Sequence, residues 1–322
     1  MGKIGLEEHF LLREFGDYFH MLVEGRSSES FDKVLPKFWD VDKGRLADMD
    51  KWGIERSILS CFNYGSVQLD PDPVRAVDMA RRMNDVLAER IHAHPDRFSG
   101  FAALPLQNAE AAVAEFRRCV TELGFHGAMV NGHTRGAYLD EQKFRPLWQA
   151  AEELDVPIYL HPWSSPSDQL KPFDAFPDLL GPTWNWTVET ATHALRIMCS
   201  GVFDAYPKAK LILGHMGELL PYHMTRFDQG WPFNATHIAK HPITFYMRNN
   251  LWITTSGNVS PTTLMGAIMS LGTDRILFAT DYPFDPGPGF LKVMESGILS
   301  EADLEKVYRG NAERMFRLGG HL

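Results

Sequence analysis

Eight short apolar runs, four to seven residues each, recur along this chain with helical patterns between them. They are Lys3 to His9, Arg56 to Cys61, Phe98 to Ala103, Gly127 to Asn131, Pro157 to His161, Leu211 to His215, Trp252 to Thr255 and Arg275 to Asp281. Runs this short alternating with helices predict βα units on a parallel sheet. Eight units with no glycine-rich nucleotide turn after the first strand predict a closed sheet, not a doubly wound one. The expected fold class is therefore α/β, a (β/α)8 TIM barrel. With no linker and no internal repeat, residues 1–322 form one domain, a length such a barrel with insertions accommodates.

The helical patterns carry their own punctuation. Asp72 and Pro73 start a helix as N-cap and N1, Val74, Val77, Ala80, Leu87 and Ile91 keep its spacing, and Pro95 stops it. Asn108 caps the next, which ends at Gly124. Further helices are expected over about 44–52, 141–154, 189–200, from about Glu218, and from Ser300 to about Leu318. Two stretches break the rhythm as loop insertions after strands 1 and 5. Residues 10–42 are rich in aromatics and lack long periodicity; their aromatics suit a lid, a core or a subunit interface. Residues 162–187 hold Pro166, Pro172, Pro177, Pro182, Trp184 and Trp186.

Charge and cysteine usage narrow the function. A formal charge of −9 with no dense basic run argues against nucleic acid. Cys61, Cys119 and Cys199 are scattered and odd in number, as expected for reduced thiols of a cytoplasmic protein. The opening residues lead at once into an acidic strand, so no signal peptide is expected, and no apolar run approaches the roughly 20 residues that span a bilayer.

In a barrel of this kind chemistry gathers where the strands end. Glu7 and His9 end the first strand, Asn131 the fourth, His161 the fifth, His215 the sixth and Asp281 the eighth. Alternation puts Glu7 and His9 on one strand face, where they can share a metal ion or form a buried polar pair. Two strand-end histidines, His161 and His215, together with Glu7, His9 and Asp281 make a carboxylate–imidazole constellation suited to a divalent ion, Zn2+ or Mn2+.

The segments GLEEHF (5–10), FAALPLQ (101–107), GAMVNG (127–132), YLHP (159–162), LGHMGE (213–218), TTSGN (254–258) and RILFATDYPF (275–284) resemble the metal-dependent decarboxylases of the amidohydrolase superfamily. Among these, the γ-resorcylate (2,6-dihydroxybenzoate) decarboxylases and other hydroxybenzoate decarboxylases are the most alike. The likeness is weakest over 11–42, 163–180 and 230–248. The E-x-H form of the first strand is typical of the decarboxylase branch, where most amidohydrolases carry H-x-H. The resemblance implies that Glu7, His9, His161 and Asp281 hold one metal and that His215, oriented by Glu218, lies beside it. It implies a substrate-facing Arg226 and Asn131, where the residues alone allow a solvated helix arginine and a turn asparagine. It implies a homo-oligomer, dimer or tetramer, acting on a small aromatic carboxylate.

The activity so implied is reversible, non-oxidative decarboxylation of an ortho-hydroxybenzoate to the phenol and CO2. Direct loss of CO2 would leave an aryl anion, so the ring carbon takes a proton first or in concert. Asp281 is the best-placed acid and His215 tunes the proton traffic. The same residues also suit metal-dependent hydrolysis of a lactone or amide, or a binding barrel without catalysis.

Overall fold

The computed structural model describes residues 1–23, 29–233, 238–284 and 288–318. Its strands are β1 (Lys3–Phe10), β2 (Ile54–Cys61), β3 (Phe98–Gly100), β4 (Ala102–Ala103), β5 (Ala128–Asn131), β6 (Pro157–His161), β7 (Lys210–Leu213), β8 (Leu251–Thr254) and β9 (Ile276–Leu277). All neighbouring pairs are parallel, in the orders β1-β2-β3 and β4 through β9. β3 and β4 are two halves of the third expected strand. At Phe101 the chain changes partner: Phe101 N–H donates to the Leu59 carbonyl and Ala102 N–H to that of Gly127, both at 2.9 Å. On the other side Leu6 bridges Ala279, and Leu6 N–H donates to the Phe278 carbonyl at 3.0 Å. These two joins close the sheet into a barrel of eight strand positions.

Alternation sorts the strand side chains into two cores. Ile4, Leu6, Ile58, Phe101, Met129, Tyr159, Ile212 and Leu277 are buried together inside the barrel, with Phe316 of the last helix packed against them. Leu59, Leu160, Leu213 and Ile253 face outward and meet helix residues such as Met79, Leu87, Phe116 and Trp148. The interior is packed, so a ligand can enter only at the mouth.

Two of the helices, over Pro73–Ala93 and Ala109–Thr121, begin where sequence punctuation places them. Helices α1 to α7 are Gly16–Val23, Glu29–Trp39, Lys43–Trp52, Pro73–Ala93, Ala109–Thr121, Arg145–Leu154 and Asn185–Cys199. Asp72 caps α4 by accepting from the N–H groups of Val74 (2.9 Å) and Arg75 (3.3 Å), and Asn108 caps α5 through Ala111 N–H at 3.1 Å. Gly53, at φ 65°, closes α3 in the left-handed conformation that glycine adopts without penalty.

Three expectations need correction. The first insertion is not an aperiodic loop: it contains α1 and α2, with residues 24–28 outside the described residues. Phe31, Val34, Leu35 and Phe38 do follow helical spacing, which Pro36 inside α2 obscures. Phe31 and Phe38 join Leu11, Phe19 and Phe62 in a separate apolar cluster. The second insertion is shorter than expected, since α7 starts at Asn185 and short 3-10 turns fill the stretch before it. No helix starts at Glu218. Residues 215–219 all have positive φ, between 50° and 78°; a 3-10 helix follows at Leu220–His223 and an α-helix at Met224–Gly230.

α7 is pinned by His193, whose buried Nε2 accepts from Leu139 N–H at 2.8 Å. Burial, with His133 and Arg196 nearby, pulls its pKa down to about 3. Unfolded, it binds a proton near 6.5, so stability is complete above that pH and falls as pH drops toward about 3. Urea titrations should show the wild type losing about 2 kcal/mol between pH 6.5 and 5 from this group alone. His193→Gln, which keeps an acceptor, should flatten that slope; an unchanged slope would contradict the assignment.

Candidate metal centre and active site

Four side chains meet at the barrel mouth: Glu7 and His9 from β1, His161 from the end of β6, and Asp281 just after β9. One donor atom from each lies within 4.8 Å of all the others. The short edges are His9 Nε2 to His161 Nε2 at 3.1 Å, His9 Nε2 to Asp281 Oδ1 at 3.4 Å, and His161 Nε2 to Glu7 Oε1 at 3.4 Å. Donors about 2.1 Å from a shared ion stand roughly 3 to 3.4 Å apart, so the spacing fits one cation. Glu7 Oε1 is buried and accepts no hydrogen bond. Burial pushes the Glu7 pKa up and holds that of His161 well below its usual value. An unpartnered buried oxygen facing two imidazole nitrogens is what a metal ion would satisfy.

Glu7 reaches this point through a bulge, not through plain alternation. Register along β1 jumps from Gly5 opposite Ser57 to Glu8 opposite Leu59, so three residues span the space of two. Glu7 sits at the jump with φ 58°. Leu6 and Glu7 therefore both turn inward, Glu8 turns out, and His9 turns in again.

Side chains from other strands hold the ligands. Tyr159, two residues before His161 on the inner face of β6, donates its hydroxyl to Glu7 Oε2 and lies 2.9 Å from Thr254 Oγ1. Thr254 Oγ1 in turn meets Ser256 Oγ at 3.0 Å, and Ser256 Oγ accepts from His215 N–H at 3.0 Å. Ser60 Oγ stands 3.2 Å from His9 Nδ1 and orients that ring. Sequence reasoning missed all four. Only Tyr159, sharing a strand face with His161, left a readable signal. Two glycines keep the space open: a Cβ on Gly214 would come 2.8 Å from Glu7 Oε2, and one on Gly257 2.7 Å from His215 Cδ2.

His215 Nδ1 lies 2.6 Å from Glu218 Oε1, and Nε2 is 3.5 Å from Glu7 Oε1 and 3.8 Å from Asp281 Oδ2. Burial opposes charge on this imidazole, but the Glu7, Glu218 and Asp281 carboxylates outweigh it and push its pKa well above the usual value. Asp281 is the counterpart: burial favours its neutral form, yet hydrogen bonding from His215 and His9 holds its pKa below the usual carboxylate range. A charged imidazole beside a carboxylate is a pair between which a proton can move.

These groups open into a cavity of about 650 Å³ walled by Phe31, Phe62, Tyr64, Trp184, Trp186 and Phe284. Aromatics of both insertions thus meet over His215 and Asp281. No Lys or Arg is among the described residues that line it. Arg226 is exposed on the helix Met224–Gly230 and is not part of the lining. Asn131 pairs in register with His161, donates its N–H to Gln68 Oε1 at 2.8 Å, and leaves a buried Oδ1 without partner, outside the cavity lining.

Residues 43–318 match the family described as Amidohydrolase. The chain is 44% identical to the γ-resorcylate decarboxylase of Rhizobium radiobacter, over 99% of each. It superposes with a TM-score of 0.92 on a 2,6-dihydroxybenzoate decarboxylase complexed with 2,6-dihydroxybenzoate, at 43% identity over 99% of this chain and all of that one. A dihydroxybenzoic acid decarboxylase from Polaromonas sp. JS666, with bound manganese and 2-nitroresorcinol, also gives a TM-score of 0.92, at 43% identity over 98% and 97% of the two chains.

Tyr159→Phe should keep the fold and weaken Mn2+ binding about 10- to 100-fold, since Glu7 loses the donor that orients it. Equilibrium dialysis against buffered Mn2+ measures this; unchanged affinity would exclude Tyr159 from the metal centre.

Proposed function

Because the chain belongs to the amidohydrolase family and is 44% identical over nearly its full length to a decarboxylase within it, we propose that it is a metal-dependent hydroxybenzoate decarboxylase. Its substrate is an ortho-hydroxybenzoate resembling 2,6-dihydroxybenzoate, its products are the phenol and CO2, and the reaction runs in both directions. The observation that carries this reading is a four-donor cluster opening into an aromatic-walled cavity of about 650 Å³, which admits a flat aromatic acid.

Glu7, His9, His161 and Asp281 are the proposed ligands, and the manganese in the Polaromonas structure favours Mn2+ over Zn2+. A divalent cation in that position supplies Lewis-acid stabilisation of anionic oxygens. With no Lys or Arg among the described lining residues, His215 is the side chain there whose positive charge can meet a bound carboxylate.

The aromatic walls fix the plane of the ring and exclude water, which is the positioning share of the barrier reduction. The carboxylates around His215 favour its charged form, and hydrogen bonding from His215 and His9 favours the ionised form of Asp281. A bound anionic substrate adds negative charge beside Asp281 and raises the cost of its carboxylate. Transfer from His215 Nε2 to Asp281 Oδ2, 3.8 Å away, then arms Asp281 as the acid. Asp281 delivers the proton to the carboxyl-bearing ring carbon. The bond to the carboxyl carbon breaks, its electron pair restores the aromatic ring, and CO2 leaves. Glu218 keeps the imidazole oriented while Nε2 loses its proton and later regains one from water. The residues read in this way work in a cytoplasmic homo-oligomer. Three free cysteines support the location, and the exposed Phe176 and Trp184 of the second insertion support the assembly.

The experiment runs the reaction backwards. Mn2+-loaded protein with resorcinol and 13C-labelled bicarbonate should place label in the carboxyl group of 2,6-dihydroxybenzoate, read by NMR. No incorporation with any of several phenols, alongside hydrolysis of a lactone or amide panel, would overturn the proposal.

A further inference from the structure

The seam between β9 and β1 has the least backbone pairing in the barrel. Among the described residues it holds one bridge, Leu6 to Ala279, where the other neighbouring strands hold at least two registered pairs. The reason is geometric: β1 bulges at Glu7 and the chain after β9 turns at Asp281, both with positive φ. Yet three of the four metal-site residues hang on these two edges, Glu7 and His9 on one and Asp281 on the other. Their separation has to be fixed by something besides a ladder of backbone bonds.

On the side of the sheet facing away from the cluster, two contacts cross the seam. Glu8, fully buried, accepts from Thr280 N–H at 3.1 Å and from the Thr280 hydroxyl at 2.9 and 2.8 Å on its two oxygens. Glu8 lies between Glu7 and His9, and Thr280 immediately precedes Asp281. A Cβ on Gly5 would come 2.7 Å from Glu8 Oε1, so that glycine leaves the carboxylate its room. Arg45 supplies the second contact from α3. Its buried guanidinium donates to the His9 carbonyl at 2.5 Å and to that of Asp40 at 3.3 Å, and lies 4.4 Å over the ring of Tyr282. Tyr282 follows Asp281, and its carbonyl accepts from His9 N–H at 3.0 Å. A buried cation is costly to keep, and an apolar side chain would fill the same space at lower cost. Each contact of this one goes to a ligand residue, to the neighbour of one, or to the loop beside it.

We infer that Arg45 and the Glu8–Thr280 pair are positioning residues for the metal centre, bolting the first-strand ligands to Asp281 across the open seam. The inference rests on the metal-site reading above and not on the identity of the substrate.

The test adds Mn2+ to metal-free full-length protein and counts the free ion by EPR, with melting of the metal-free protein recorded alongside. Thr280→Val and Arg45→Met should weaken Mn2+ binding about 10- to 100-fold, whereas Thr280→Ser, which keeps the hydroxyl, should stay within about threefold of the wild type. If Thr280→Val and Arg45→Met only lower the melting temperature and leave Mn2+ affinity within about threefold, the residues are structural alone and the inference is overturned. Equal losses in Thr280→Ser and Thr280→Val would overturn it as well. Should Arg45→Met fail to fold, the Thr280 pair decides. Because the readout is metal binding, failure of the decarboxylase reading shows separately, as an absence of CO2 release with Mn2+ bound.

Discussion

One carboxylate oxygen, Glu7 Oε1, is sealed from water with no protein donor to meet it, 3.4 and 3.5 Å from two imidazole nitrogens. Negative charge in that position is tolerable only beside a positive one. His215, whose charged form three carboxylates favour, provides part of the compensation. A cation shared with His9, His161 and Asp281 would provide the rest. The mouth of the barrel is shaped around that requirement.

Meeting it demands backbone that strands and helices do not supply. Glu7, His215, Glu218 and Asp281 all have φ between 50° and 58°, a region that costs a non-glycine residue on the order of 1 to 3 kcal/mol. The closed sheet holds them there. Packed strand interiors below, the Tyr159–Thr254–Ser256 network beside and the Glu8–Thr280 contact behind over-determine each position. Strain and preorganisation are two views of the same arrangement: the side chains converge because the chain cannot relax.

Much of this was legible in the sequence, for a reason particular to parallel barrels. Every strand end lies on one face, so a polar residue closing an apolar run is placed near the others whatever its distance along the chain. His161 after PIYL and Asp281 after RILFAT are placed in this way, and the structure does bring them to Glu7 and His9. What was not legible depends on partners without local signature. Tyr159 and Glu7 are 152 residues apart, and Thr254 and Glu7 247 apart, so neither contact leaves a spacing to read. The bulge at Glu7 looks like ordinary alternation in the string GLEEHF, because both an unbulged and a bulged strand can turn Glu7 and His9 inward. The left-handed run from His215 to Leu219 resembles a helix start because Glu218 and the apolar residues after it suit one; only Gly217 and Pro221 hint otherwise. In the first insertion, Pro36 hid a helix whose apolar spacing was intact.

The most direct measurement is anomalous diffraction at the manganese edge from crystals of the Mn2+-loaded protein. The account predicts one strong peak per chain, about 2.0 to 2.3 Å from donor atoms of Glu7, His9, His161 and Asp281 together. A peak held by other residues, or none at the barrel mouth at full loading, would contradict it.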